Sequence, residues 1–200
     1  MMVIDPSAVS PIANYRLLSS AVVPRPIAFI STISADGVHN LAPFSFFNAV
    51  CSEPPIVSFC PTLRLPPKDT LANVLATREF VVNIVSEEIA AAMNVCAGEY
   101  PAEVDEFEVS GLTPAPSEVV RPPRVREARV SMECRLVDVI EVSKLPRGAS
   151  LVLGEVVRFH VDDAIVSNFV IDPAKLRVVG RMAGGLYVRT RELFEMVRPI

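Results

Sequence analysis

Hydrophobic and polar positions alternate along several stretches of this chain, and the alternation predicts strands. Residues 130–136 alternate strictly between apolar and polar side chains, and residues 157–162 do the same, which is typical of a half-buried strand. The runs 26–33, 56–60 and 80–85 are rich in β-branched and aromatic residues, which strands prefer. Most of the regular structure is therefore expected to be β.

The run VHNLAPFSFFNAV, residues 38–50, follows the turn signal Asp36-Gly37 and contains Pro43. Proline has no N–H to donate to a ladder, so within sheets it is confined to edges and bulges. This run is therefore predicted to be an edge strand, a bulged strand or an irregular stretch.

Helices are predicted at three places. In residues 70–77 apolar side chains recur at i, i+3 and i+4, and residues 86–95 follow Ser86, a predicted N-cap, with acids in the first turn. The tail is predicted to be extended over residues 177–190 and helical over RELFEM, residues 191–196.

Strands and helices do not alternate regularly along the chain, so a doubly wound sheet is disfavoured. An antiparallel β-barrel with a few helices at its ends fits the order of elements better. The predicted fold class is mainly β with peripheral helices. Residues 97–123 form the one long segment without a predicted element, and a segment of this length is either a solvated loop or a functional flap.

The composition indicates a large buried surface. Half of the 200 residues are hydrophobic and the mean hydropathy is +0.39, so some of that surface is expected to lie in a subunit interface. No apolar run reaches the roughly 20 residues of a membrane helix, and the N-terminus lacks the pattern of a secretory signal. The expected location is the cytoplasm, with no membrane partner.

The net charge of −4 is unevenly distributed. Residues 79–120 hold nine acids and no Lys or Arg, whereas the rest of the chain holds 14 acids against 19 bases. A small anionic ligand is therefore expected to bind outside the acidic segment. Nucleic acid is not an expected partner, because no basic stripe or recognition motif is present.

The inventory of catalytic residues is thin. Four cysteines without a C-x-x-C pair and two distant histidines argue against zinc and predict reduced, mostly buried thiols. The motifs of a phosphate-binding loop, a nucleophile elbow and a dinucleotide fold are also missing. No catalytic side chain and no metal are predicted, so a cofactor would supply the chemistry of an enzyme.

Three segments carry polar groups that could hold such a cofactor. Ser31 and Thr32 end the first predicted strand, where ordinary strand-end residues remain the alternative. The second segment is apolar but contains Asn40, Ser45 and Asn48, and its irregular backbone would offer N–H and C=O groups to the edge of a planar ligand. An aromatic core strand with a bulge is the alternative there.

The third segment is PPKDTLANV, residues 66–74. Asp69 or Thr70 is the predicted N-cap, but Lys68 is unfavourable beside the positive end of a helix dipole. An anion would neutralise both, and a phosphate held by helix N–H groups, a hydroxyl and a lysine is a common arrangement. A plain helix start remains the alternative.

Six pieces of the chain together resemble a known family. They are PRPIAFISTISADGVHNLAPFSFFNAVCSEPPIVSF, KDTLANV, EFVVNIVS, VDEFEVSGLTP, LVLGEVVRFHVDD and GRMAGGLYVRT. Their order and spacing resemble the flavin reductase-like, FMN-binding split-barrel family over about residues 15–198. The resemblance implies one such domain over residues 1–200 and a split antiparallel barrel. It also implies a homodimer, with FMN near the subunit interface.

The resemblance also implies a set of cofactor-binding residues. They are Ser31, Thr32, Asn40, Ala42, Pro43, Phe44, Ser45, Asn48, Lys68, Thr70 and Arg181. Those up to position 48 would face the isoalloxazine ring and ribityl chain, whereas the last three would hold the phosphate. Two features depart from the family. His39 stands where relatives often have proline, and the PTLRLPP loop before Lys68 is long and proline-rich.

The function that the resemblance implies is an NAD(P)H:flavin oxidoreductase. NAD(P)H would be a transient donor whose hydride passes to FMN N5, and a monooxygenase or another electron acceptor is a partner that the resemblance allows. The acidic segment would then be a flap on the nicotinamide side, although its charge disfavours an anionic dinucleotide. An FMN-binding electron carrier of the flavoredoxin type and a cofactor-free binding barrel are the alternatives.

Overall fold

The computed structural model describes residues 1–63 and 68–199 of the chain. Within them, the helices are α1 (Pro11–Ala21), α2 (Asp69–Thr77), α3 (Ala90–Val95), α4 (Glu106–Ser110) and α5 (Pro173–Leu176). The strands are β1 (Ala28–Ile33), β2 (His39–Phe44), β3 (Phe47–Ser52), β4 (Pro55–Phe59), β5 (Glu79–Ile84), β6 (Pro114–Ala115), β7 (Arg124–Val125), β8 (Val130–Glu141), β9 (Ser150–Val161), β10 (Val166–Ser167), β11 (Val170–Ile171), β12 (Val179–Arg181) and β13 (Tyr187–Arg189).

Seven strands form one antiparallel sheet in the order β2-β1-β5-β8-β9-β4-β3. The two edge strands, β2 and β3, are consecutive in the chain and are joined by residues 45–46. A connection of two residues requires the two edges to lie close together, so the sheet is curled into a barrel that stays open between them. The prediction of a mainly β, split antiparallel barrel is confirmed.

The barrel interior is filled by buried apolar side chains from every strand of this sheet except β3, whose Phe47 packs against them partly buried. They include Ala28, Ile30, Phe44, Val57, Phe59, Phe80, Val82, Met132, Cys134, Leu136, Val152 and Val156, and α2 adds Leu71 and Val74. Gly154 is required opposite Phe80, because a Cβ at position 154 would lie 2.2 Å from the Phe80 Cζ atom. Such close packing makes the interior of the barrel a rigid support for its rim.

A second apolar cluster lies on the outer side of β1, β2 and β5. It includes Phe29 and Leu41 from the strands, Ile89 and Met93 around α3, and Phe107 from α4. Helices α3 and α4 are thereby held against the strand that carries Asn40. No helix in the parts of the chain that the structure describes has both the length and the apolar character needed to cross a bilayer.

Pro43 lies in β2, which is an edge strand, one of the three alternatives that the sequence left open. The Leu41 N–H points away from β1 and binds the Glu106 carboxylate at 3.0 Å. Residues two apart in a strand direct their backbone groups to the same side, so Pro43 also faces outward. Its missing N–H therefore costs the sheet no ladder bond.

Three predictions of local structure are wrong. Ser86 does not cap a helix, because α3 begins only at Ala90 and Ser86 forms a backbone bridge with Val178. Residues 191–196 are not helical and are exposed throughout, so this short segment lacks the packing that stabilises most helices in proteins. The segment 97–123 is not irregular throughout, because it contains α4 and β6.

Candidate functional site

An apolar cleft of about 830 Å³ lies beside the open edge of the barrel. Its walls include Tyr15 of α1, the β2–β3 junction and residues 142–149. The members of the junction that line it are Pro43, Phe44, Ser45 and Phe46. A volume of this size is in the range of cofactor and substrate sites.

A smaller polar pocket of about 120 Å³ adjoins this cleft. Asn40, Ala42 and Thr70 line it, and Pro43 and Lys68 line both spaces. The two spaces therefore meet at Pro43 and Lys68. A ligand with an apolar, planar part and a polar tail could occupy both at once.

A network of buried hydrogen bonds supports the walls of the polar pocket. The Thr70 hydroxyl donates to Asn40 Oδ1 at 2.7 Å, and the Thr32 hydroxyl lies 3.2 Å from the same oxygen. The Asn73 amide donates to the Thr32 hydroxyl at 3.1 Å. The network ties β1, β2 and α2 together, so it fixes the position of the pocket walls.

Lys68 occupies the N-cap position of α2, and its side chain makes no capping hydrogen bond. The predicted N-cap, Asp69 or Thr70, is therefore wrong: Asp69 is the first helical residue, and the Thr70 hydroxyl is used on Asn40. The Lys68 ammonium lies 5.4 Å from the centre of the Phe44 ring. Lys68 thus joins the polar pocket to the aromatic wall of the cleft, whereas residues 64–67, which include Pro66 and Pro67, lie outside the described residues.

Glu106 is a site residue that the sequence analysis missed. Its carboxylate accepts from Asn40 Nδ2 and from the Leu41 N–H, each at 3.0 Å, and the residue is buried. Burial raises the pKa of Glu106 above its ordinary value, although these hydrogen bonds act in the opposite direction. The acidic segment therefore supplies a structural support for β2 and is not simply a solvated loop.

His39 also fastens the acidic segment to β2. Its Nδ1 lies 3.0 Å from Asp105 Oδ2, and its ring packs edge-on against Phe107 with the centroids 5.8 Å apart. The departure from the family pattern at His39 therefore coincides with contacts to α4. A signal for α4 was present in the sequence, since Asp105 caps the helix and Gly111 ends it with a φ of 71°.

The other predicted site residues lie in different surroundings. Ser31 is fully buried and its hydroxyl binds the Pro123 carbonyl oxygen at 2.5 Å, away from both spaces. Asn48 lines a groove of about 360 Å³ together with Ser45. The Arg181 guanidinium binds the Gly184 carbonyl oxygen and stacks 4.5 Å from the Tyr187 ring centre, so these contacts do not bring it to Lys68.

Arg25 is the second residue that the sequence analysis missed. It is 5% exposed, and its guanidinium binds the carbonyl oxygens of Ser19, Val22 and Met182. Its Nε also donates to the Ser45 hydroxyl at 3.4 Å. Burial lowers the pKa of Arg25, and the side chain fixes the β2–β3 junction to α1.

The prediction that the thiols are mostly buried is confirmed for two of the four cysteines. Cys96 and Cys134 are buried, Cys60 is intermediate and Cys51 is exposed. Burial raises the pKa of Cys96 to about 11 and raises the pKa of Cys134 further. Both buried thiols are therefore protonated near neutral pH and are poor nucleophiles.

The split barrel, with its cleft at the open edge, has the architecture of flavin reductase-like proteins. Residues 19–176 match the model of the family described as "Flavin reductase like domain", and this chain belongs to that family.

Two solved structures and one curated relative illustrate the similarity. Nitrilotriacetate monooxygenase component B from Bacillus cereus is 37% identical with a TM-score of 0.95, covering 98% of each chain. The 2-nitrobenzoate 2-nitroreductase NbaA from Pseudomonas fluorescens is 30% identical with a TM-score of 0.91, covering 99% of this chain and 96% of its own. An uncharacterized protein from Aquifex aeolicus is 45% identical over 178 residues, which cover 88% of this chain and 89% of the relative.

Proposed function

We propose that this chain is an FMN-binding oxidoreductase that takes a hydride from NAD(P)H and passes electrons to flavin or another acceptor. The observation that carries the proposal is that the apolar cleft and the polar pocket are neighbours, with Pro43 and Lys68 lining both. FMN has the matching shape, because an apolar planar ring is joined through a short chain to a phosphate.

The residues present fit this cofactor. Lys68 and the first N–H groups of α2 offer a cation and a helix N-terminus to the phosphate. The Phe44 and Phe46 side chains belong to the cleft that would enclose the ring and keep water away. The predicted roles of the individual residues remain proposals.

Bound FMN would accept the hydride at N5, which is chemistry that no side chain of the site supplies. The protein would bind and orient the ring, exclude water and hold the phosphate. The buried hydrogen bonds among Thr32, Asn40 and Thr70 would fix the position of β2 relative to α2. We therefore assign no catalytic side chain.

An electron carrier without its own NAD(P)H site is the second candidate, and the charge of the polar pocket favours it. Asp69, Glu99 and Glu106 line this pocket, and Lys68 is the one cation among its described lining residues. Since Lys68 would be used on the FMN phosphate, an additional anionic dinucleotide would meet only carboxylates there. If the chain is a reductase, the donor is therefore expected to bind weakly and transiently.

We also propose that the chain acts as a homodimer in the cytoplasm. Helix α1 exposes Ile12, Tyr15 and Leu18, and Tyr15 and Leu18 also line the cleft. A partner subunit that covers α1 would bury this apolar surface and enclose the cleft. Light scattering on the eluted protein should give twice the 21.7 kDa mass of the chain.

The cofactor proposal is tested by titrating the flavin-free protein with FMN and with riboflavin, which lacks the phosphate. FMN is expected to bind at least about tenfold more tightly, because charge-assisted bonds to a phosphate contribute about 1.5–3 kcal/mol each. Equal affinities would remove the phosphate site from the proposal. If neither flavin binds, the cofactor-free barrel is the correct alternative.

A further inference from the structure

A fourth space, of about 600 Å³, lies where β7 leads into β8 and where β9 ends. It shares no lining residue with the apolar cleft or the polar pocket. Three arginines, Arg124, Arg126 and Arg129, line it together with His160. We propose that this cavity, here called the arginine cavity, is a separate binding site for a small phosphate-bearing anion.

The arginines keep donor capacity for a ligand. Arg124 donates to the Pro116 carbonyl oxygen at 3.1 Å, and Arg129 lies 3.9 Å from the Asp162 carboxylate. Within residues 1–63 and 68–199, the Arg126 guanidinium contacts no acceptor. Each guanidinium has five N–H donors in a planar fork, a geometry that suits phosphate oxygens.

A hydrogen bond to Glu133 fixes the position of His160. The Glu133 carboxylate is fully buried, accepts from the backbone N–H groups of residues 118–120 and lies 2.5 Å from His160 Nε2. Burial would raise the pKa of Glu133, but these hydrogen bonds outweigh it and lower the pKa. Glu133 is therefore ionised and can only accept, so His160 Nε2 carries a proton and the ring orientation is fixed.

The balance of charge in the arginine cavity favours an anion. Two acids, Glu127 and Asp162, also line it; both accept from backbone N–H groups, and Asp162 also lies 3.9 Å from Arg129. Glu127 accepts from the Thr113 N–H at 3.1 Å, and Asp162 caps the turn at Ala164. Three guanidinium groups thus face two carboxylates.

The size of the cavity identifies the class of ligand further. A volume of about 600 Å³ is more than a single inorganic phosphate needs and lies in the range of small-molecule sites. A diphosphate or an organic phosphate, such as a nucleotide, fits this volume and the spread of three arginines. This inference does not depend on the proposed flavin chemistry, because the two sites share no residue.

The test is a calorimetric titration of the purified chain with inorganic pyrophosphate and with ADP at low ionic strength. Both are expected to saturate one site, and Arg126→Gln and Arg129→Gln should each weaken binding about tenfold. Glu127→Gln should strengthen it, since it removes a like charge. Tighter binding of ADP than of pyrophosphate would identify an organic phosphate, and the reverse order a diphosphate.

Arg158→Gln is the matched control, because Arg158 lies on β9 outside the arginine cavity and pairs with Glu118. It should leave the affinity unchanged. No saturable binding, or an equal loss in Arg158→Gln, would overturn the proposal. So would binding that is lost in Lys68→Ala and retained in the arginine variants, because the anion would then occupy the polar pocket.

Discussion

Lys68 is the residue on which the proposed cofactor site depends most. It lines both the polar pocket and the apolar cleft, at the first turn of α2 and above the Phe44 ring. A cation at this end of a helix opposes the helix dipole. The phosphate of the proposed cofactor would be stabilised by both the Lys68 ammonium and the helix N–H groups.

Lys68→Ala is expected to weaken FMN binding about tenfold, because one charge-assisted bond to the phosphate is lost. The affinity that remains should depend less on salt, since an ionic contact has been removed. Riboflavin binding should not change. Titrations at two ionic strengths measure both effects.

Lys175→Ala is the control for this prediction, since Lys175 lies exposed on α5 and binds the Ala164 carbonyl oxygen. It should behave like the unaltered chain. Unchanged FMN affinity in Lys68→Ala would remove Lys68 from the site.

Glu106→Gln is expected to destabilise the fold by about 1–3 kcal/mol, because the amide keeps one acceptor oxygen for two donors. The pKa of Glu106 is raised in the folded state, so ionisation costs stability as the pH rises from 4.5 through the folded pKa. This loss should be absent from the variant. Denaturant unfolding at about pH 4 and about pH 8 measures it.

Glu108→Gln provides the comparison, since Glu108 lies exposed on the same helix. It should change neither the stability nor its pH dependence. If Glu106→Gln unfolds at the same denaturant concentration as the unaltered chain, the buried contacts to Asn40 and Leu41 contribute nothing to stability.

At the scale of elements, the strands of the main sheet were predicted well, from β-branched and aromatic composition in the runs 26–33, 56–60 and 80–85 and from alternation in 130–136. Each run coincides with a strand to within two residues at its ends, except that β8 extends to residue 141. These strands are set by side chains that alternate between the barrel interior and its outside. Which side of a strand each residue faces follows from the local pattern, so it can be predicted from the sequence.

Elements that depend on distant contacts were not predicted. The tail 191–196 has a helical pattern, but Arg191 is bound to Glu87, more than a hundred positions earlier in the chain. The burial of Glu106 depends on Leu41, 65 residues away. Nothing in the acidic run distinguishes Asp105 and Glu106, which contact β2, from the carboxylates that face water.

The C-terminal segment is expected to detach from the barrel in acid. Hydrogen bonds from Arg191, and further those from Arg177, hold the pKa of Glu87 down to about 2 from an ordinary 4.5. Because the pKa of Glu87 is lowered in the folded state, its ionised carboxylate stabilises that state above pH 4.5. This stabilisation is lost as the pH falls toward about 2. Hydrogen exchange of residues 187–191, once corrected for the intrinsic pH dependence of amide exchange, should therefore accelerate across this window.

Glu87→Gln should produce the same acceleration at neutral pH, because it removes the charge that holds the arginines. Glu195→Gln, a change at an exposed position of the tail, should not. Equal protection of the segment in all three proteins would show that the ion pairs do not hold it.

At the scale of the whole molecule, the fold class and the family could be predicted from the sequence. It could not be predicted which of the expected site residues lie together and which lie apart. The position of Pro43 indicated an edge strand, a bulged strand or an irregular stretch. Only the sheet order shows that β2 and β3 form both edges of one split barrel. That closure places Lys68 and Ser45 on one cleft and leaves Arg181 with Tyr187.

In the proposed function, the barrel is a scaffold whose open edge holds a flavin and whose side chains take no chemical part. Such a protein needs no acid, base or nucleophile at the cleft, since the cofactor supplies the chemistry. The lack of a catalytic motif in the sequence is consistent with this role. The central claim of the proposal is that the bound flavin receives electrons directly from a pyridine nucleotide.

An anaerobic stopped-flow experiment on the FMN-loaded chain tests this claim most directly. Mixing with NADH, and separately with NADPH, should bleach the yellow absorbance of the flavin in the presence of at least one donor. Dithionite serves as the reference for complete reduction. Bleaching by dithionite but by neither nucleotide would contradict the reductase and leave the electron carrier as the function of this chain.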